Sequence, residues 1–163
     1  MARRHFAVLV SVLALTIVAV ILVHGTSPRE SDEERIRKLI VEGARAAEER
    51  RPKDAVIPIS SRFSGGSLDR DGVRRLIAFE SLRGSWTSVT VTGLAVTVEG
   101  DRAKAAFDVV ASRGGSGQSL RDLLPAEASA WRVECELERE TEEFRIVRAS
   151  WHEVSLVDVL TSP

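Results

Sequence analysis

Tyrosine is absent from this chain, and cysteine occurs once, at Cys135. A single cysteine excludes an intrachain disulfide and any metal site built on several thiolates. The lack of tyrosine removes one common acid/base group and oxyanion-hole donor. His5, His24 and His152 stand far apart, so no histidine-rich metal motif is present. Lysine is confined to Lys38, Lys53 and Lys104, and the remaining basic residues are arginines scattered among Glu and Asp. Arg3 and Arg4 account for two of the 23 basic residues, so from Thr26 onward 21 basic residues face 24 acidic ones, a net of −3. Such a balance supplies no general pull toward nucleic acid, and no nucleic-acid partner is expected.

What the chain does have is one long apolar run. Residues 6–23 read FAVLVSVLALTIVAVILV, without a charge, Gly or Pro. As a helix this run would span roughly 27 Å, against a hydrocarbon core of ~30 Å. A helix buried in a soluble core shows a polar stripe, and this one shows none. The reading is membrane insertion through residues 6–23, with residues 1–25 as an anchor or uncleaved signal segment and 26–31 as a linker. Arg3 and Arg4 also suit the start of a signal peptide, with a permissive small residue at Gly25. The run exceeds the roughly 7–15 apolar residues of an ordinary signal peptide, which favours a retained single-pass anchor over secretion after cleavage near Gly25. Arg3, Arg4 and the amino terminus favour a cytoplasmic N-terminus and a following domain on the periplasmic or extracellular side.

Behind the linker the period is helical. Ser31 and Glu34 form a capping-box pattern, acidic residues fill positions 32 to 34, and Ile36, Leu39, Ile40, Gly43, Ala44 and Ala47 make one stripe. Pro52 closes this helix. Residues 53–63 read as a short second helix or turn. Asp69 is placed as the N-cap of a third helix, with Leu68 and Val73 as its hydrophobic staple and Gly84 as its stop. Residues 120–124 suggest one further helical turn. From Thr87 the period falls to two. Val89, Val91, Leu94, Val96 and Val98 alternate across a phase shift at Gly93, which predicts a bulge. Glu99, Gly100 and Asp101 turn the chain into a strand carrying Ala103, Ala105, Phe107 and Val109. Trp131, Val133, Cys135 and Leu137 share one face of the next strand. Glu134, Glu136, Glu138, Glu140, Glu142 and Glu143 read as an acidic, solvated edge. Residues 144–154 form a last strand whose phase slips at Ile146 and Val147, and residues 155–163 form an apolar C-terminal tail.

Helices followed by a meander of strands predict an α+β domain over residues 32–154, three helices packed on a curved antiparallel sheet. The stretch Ala44 to Glu48, the segment Ile59 to Phe63, the hairpin Val98 to Ala103 and the ending Phe144 to Trp151 resemble the NTF2-like, cystatin-like cone superfamily, with its SnoaL-like members. That resemblance implies a cone that can hold a small apolar ligand, or a module that dimerises through its sheet. It admits three functions: a membrane-tethered, non-catalytic binding or interaction module; an isomerase, cyclase or dehydratase working in the cone; and a scaffold subunit of an envelope assembly. The isomerase-type tyrosine is missing and no aspartate matches a catalytic base, so the first reading leads, and neither a catalytic residue, a metal nor a cofactor is assigned. The candidate ligand-binding residues are Trp86, Trp131 and Trp151 at strand ends, and Glu80, which interrupts the apolar face of the third helix. Cys135, between Val133 and Leu137, is expected to be a buried and inert thiol.

Overall fold

A computed structural model describes residues 30–83, 86, 88–113 and 128–161. The apolar run at 6–23, Gly84 and the turn expected at 120–124 lie outside the described residues. Among the described residues no helix is long and apolar enough to cross a membrane. The element order is α1 (Asp32–Glu48), α2 (Pro52–Ala55), β1 (Ile59–Ser64), α3 (Arg70–Arg83), β2 (Ser88–Glu99), β3 (Arg102–Ser112), β4 (Ala128–Glu140), β5 (Glu143–Val154) and α4 (Leu156–Thr161). The domain is α+β, as the two periods require.

Local chemistry sets most of these boundaries. Helix α1 starts directly after Ser31 with three acidic residues in its first turn. It stops at Glu48, two residues before Arg50 takes a left-handed φ of 58°. Pro52 then opens α2 at a position where its missing N–H costs nothing. Asp69 Oδ1 accepts the Gly72 N–H at 2.6 Å, the N-cap expected for α3. Gly100, at φ 61°, makes the two-residue turn between β2 and β3. Gly93, also at φ 61°, sits where the β2–β3 register shifts, so the phase change in the valines is a bulge. The slip at Ile146 and Val147 is likewise a register shift, opposite Glu136 and Leu137.

Three expectations are corrected. The segment at 59–64 is a strand, not a helix or turn. The residue before a proline is pushed toward extended backbone, and the Pro58 carbonyl accepts the Ile146 N–H at 2.8 Å, which leads the chain onto β5. Because β1 runs parallel to β5, the five-stranded sheet, in order β1-β5-β4-β3-β2, is mixed rather than wholly antiparallel. The glutamates of β4 are not an edge either, since β4 lies between β5 and β3. Two of them reach basic partners across the sheet: Glu136 to Arg148 at 3.1 Å, Glu138 to Arg62 at 3.2 Å.

One face of the sheet packs on α1. Ile36 (0% exposed) and Ile40 meet Val96, Ala103, Ala105, Cys135, Leu137 and Phe144. Burying a side chain of this size stabilises by about 1.5–3 kcal/mol. Ala46 and Ala47 at the far end of α1 pack on Ala55 of α2 and Ile77 of α3. The opposite face is covered at one end by the C-terminal residues: Val159 of α4 is buried against Val110 and Ala130. Next to them Arg132 makes a two-pronged contact with Asp108, Nε to Oδ1 at 2.9 Å and Nη2 to Oδ2 at 3.0 Å. Asp108 is 5% exposed, so this carboxylate is enclosed, while its partner Arg132 stays partly open to solvent.

Candidate functional site

The strand register sorts the inner face into rows. Val98, Ala103, Leu137 and Ile146 form one row, and Val96, Ala105, Cys135 and Ala149 the next. Both belong to the core beneath α1. The following row holds Phe107, Val133 and Trp151, and the last Val91, Val109, Trp131 and Glu153. Burial falls along this direction. Ala103, Ala105, Cys135 and Leu137 are buried, whereas Phe107, Val109, Trp131 and Val133 are half-buried and Trp151 is 41% exposed. The inner face therefore runs from a packed floor to an apolar, partly open mouth.

Trp131 and Trp151 lie on this same face. They occupy diagonal positions on β4 and β5, Trp131 opposite Glu153 and Trp151 opposite Val133. Diagonal neighbours lie within reach of aromatic side chains. A glycine brings Trp151 close to the β1 end. A Cβ placed on Gly65 would stand 2.5 Å from Phe63 Cζ and 3.0 Å from Trp151 Cζ3. Gly65 and Leu68 exchange backbone hydrogen bonds at 3.0 and 2.9 Å, which closes the loop leading to α3.

The other two candidates come from the helical side. Trp86 is half-buried, and its indole N–H points at the Ala47 carbonyl at 3.5 Å, at the end of α1. Glu80 is half-buried on α3. Sequence reasoning missed Phe107, Val133 and Glu153 as companions of the two tryptophans. Counting register outward from the turn at Gly100 and allowing one extra residue at Gly93 would have aligned Val91 with Val109, but Trp131 joins them only through the β3–β4 pairing.

The floor beneath the mouth offers little acid/base chemistry. Among the described residues of that floor the one titratable group is Cys135, whose thiol is pushed up to about 12 by burial despite a backbone hydrogen bond with Ala105. His152 lies on the other face: it pairs with Arg132, which pairs with Asp108. Among the described residues no cluster of three or more His, Cys, Asp or Glu could hold a metal ion. The outer face carries a separate shallow groove of about 500 Å³, floored by Ala95 and Ala106 and rimmed by Lys104, Glu134, Glu136 and Arg148.

This architecture is similar to solved structures of one fold. An NTF2-like protein with a cystatin-like fold from Novosphingobium aromaticivorans superposes with a TM-score of 0.59 at 19% identity, over 87% of this chain and 90% of that one. A protein of unknown function from Mycobacterium tuberculosis gives 0.60 at 14% identity, over 79% and 80%. A protein from Novosphingobium aromaticivorans named for scytalone dehydratase gives 0.56 at 8% identity, over 74% and 82%. No family model and no curated protein matches the sequence. At these identities the likeness shows the fold, and the fold is the NTF2-like, cystatin-like cone.

Proposed function

We propose that this chain is a membrane-tethered, non-catalytic NTF2-like binding module that takes a small apolar ligand at the mouth of its cone. The observation that carries the reading is the contrast along the inner face. Half-exposed Trp131, Trp151, Phe107 and Val133 open above a floor of Val96, Ala105, Cys135 and Ala149. Apolar walls with few polar groups suit a ligand held by burial. An isomerase or dehydratase needs a carboxylate or histidine at the base of its cavity. Here the floor holds a protonated thiol, and His152 stands on the opposite face. Trp86 and Glu80 belong to the reading as helical-side contacts. The tether is residues 6–23, which the sequence reads as a retained span with the domain on the outer side.

Native mass spectrometry of the purified full chain tests the ligand. The expected result is a small apolar mass that co-purifies with the protein and is lost in Trp131→Ala. A mass retained in both Trp131→Ala and Phe107→Ala would remove the mouth as its site. Alkaline extraction of cell membranes, with N-terminal sequencing of the mature protein, tests the tether. Release into the supernatant with a new terminus near Gly25 would replace it with secretion.

A further inference from the structure

Helix α3 carries apolar side chains on two sides. Ile77 packs on Ala46, Ala47 and Ala55. Leu76, Phe79 and Leu82 point elsewhere and are 47%, 53% and 88% exposed. A cluster of large exposed apolar side chains marks a contact surface. Exposed arginines border this one. Arg75 and Arg83 stand on either side of Phe79 in sequence, and the Arg83 guanidinium lies 5.2 Å from the Phe79 ring centroid.

Charge narrows the choice of partner. Helix α3 has Arg70, Arg74, Arg75 and Arg83 against Asp71 and Glu80, so it is basic inside a region whose overall charge is negative. A second copy is a poor occupant. A two-fold antiparallel contact centred on Phe79 would set Arg75 of one chain beside Arg83 of the other, like charge against like. An apolar centre with arginine borders is the pattern of helices that lie in the headgroup region of anionic membranes. We propose that Leu76, Phe79 and Leu82 of α3 rest in the surface of a bilayer containing anionic lipid, with Arg75 and Arg83 on its headgroups. This rests on the tether reading above. Residues 24–31, fully extended, reach at most about 28 Å, so a retained span keeps the domain beside the bilayer.

The test uses the full chain carrying Leu82→Cys. Cys135 is buried, so the new thiol is the one a fluorescent reagent labels. The labelled chain is reconstituted into vesicles of brominated phosphatidylcholine, with or without one-third phosphatidylglycerol, and the label's quenching is read. Strong quenching with phosphatidylglycerol is expected, falling several-fold when Arg75→Glu and Arg83→Glu are combined. Leu76→Cys serves as a second reporter and is expected to behave alike. A chain that floats with the vesicles while both labels stay unquenched overturns the docking and leaves the tether standing. Equal quenching without phosphatidylglycerol overturns the anionic-lipid assignment. A chain that does not float overturns the tether, and the docking with it. A label shielded from aqueous iodide but unquenched by lipid would assign the face to a protein partner instead.

Discussion

Arg139 ties the start of α1 to the far end of the sheet: its Nη2 lies 2.6 Å from Asp32 Oδ2, and its guanidinium sits 4.3 Å over the ring of Phe144. Its Nε also reaches Asp101 Oδ1 at 3.1 Å, in the β2–β3 turn. One side chain thus connects α1, the turn and the hairpin of β4 and β5. The hydrogen bond from Arg139 holds the Asp32 carboxyl below its ordinary 3.8. Ser60 and Arg62 hold Glu140 below 4.5 in the same way.

Acid should therefore loosen the domain through these two carboxylates. A group whose pKa is lower in the folded state contributes stability above its unfolded value and loses it as pH falls through the folded value. Both contributions are complete at neutral pH and fade below 4.5 for Glu140 and 3.8 for Asp32. Arg139→Met removes the first and leaves the second. The melting-temperature gap between wild type and variant should be widest at neutral pH and close as Asp32 protonates. A gap that stays constant into strong acid would show that Arg139 acts through Phe144 packing alone.

Gly65 should not tolerate a side chain. Its Cβ would meet the buried Phe63 ring and the Trp151 edge. Trp151 can swing outward and Phe63, 6% exposed, cannot. Gly65→Ala is expected to cost about 1–3 kcal/mol, the usual range for overpacking. Denaturant unfolding measures the loss. A red shift of tryptophan emission in the folded variant would report Trp151 leaving the inner face, whereas unchanged stability and emission would mean the loop moves instead.

The legible parts of this fold are those whose pattern is local. The stripe on α1, the Asp69 cap, the bulge at Gly93 and the slip at Ile146 and Val147 each follow from neighbouring residues, and each stands in the structure. What was misread depends on partners distant in sequence. Residues 59–64 carry no period of two, with Ser60 and Phe63 buried, because their pairing with β5 is irregular. The β4 glutamates are solvated as expected, with Glu134 and Glu136 exposed, but they are not an edge, because β3 and β5 pair on either side of β4. At the mouth, Trp131 and Trp151 were visible as residue types, but their placement as diagonal neighbours on one face follows from register alone.

The last helix should be part of the domain's stability. Val159, 6% exposed, covers Val110 and Ala130 on the outer face. Val159→Ala removes two methyl groups and should cost about 1–2 kcal/mol. Val159→Asp should cost more, since a carboxylate there would be desolvated beside Asp108 and Asp158, with Arg132 already engaged. Equal stability of both variants and the wild type in chemical unfolding would show that α4 does not hold this position in solution.

Cys135 should be silent until the domain opens. Its thiol is 4% exposed in the row between Ala105 and Ala149 and is pushed up to about 12 by burial. The thiolate is the reactive form, so burial slows reaction both by excluding the reagent and by keeping the proton on sulfur. A chromogenic disulfide reagent at neutral pH should leave the folded full chain unmodified and react at once in denaturant. The rate of slow labelling in the native protein should track unfolding, rising in Gly65→Ala and Val159→Ala in proportion to their lost stability. Rapid labelling of the native chain, unaffected by those substitutions, would place Cys135 within reach of solvent through the mouth and would mean that the floor beneath Trp131 and Trp151 is open.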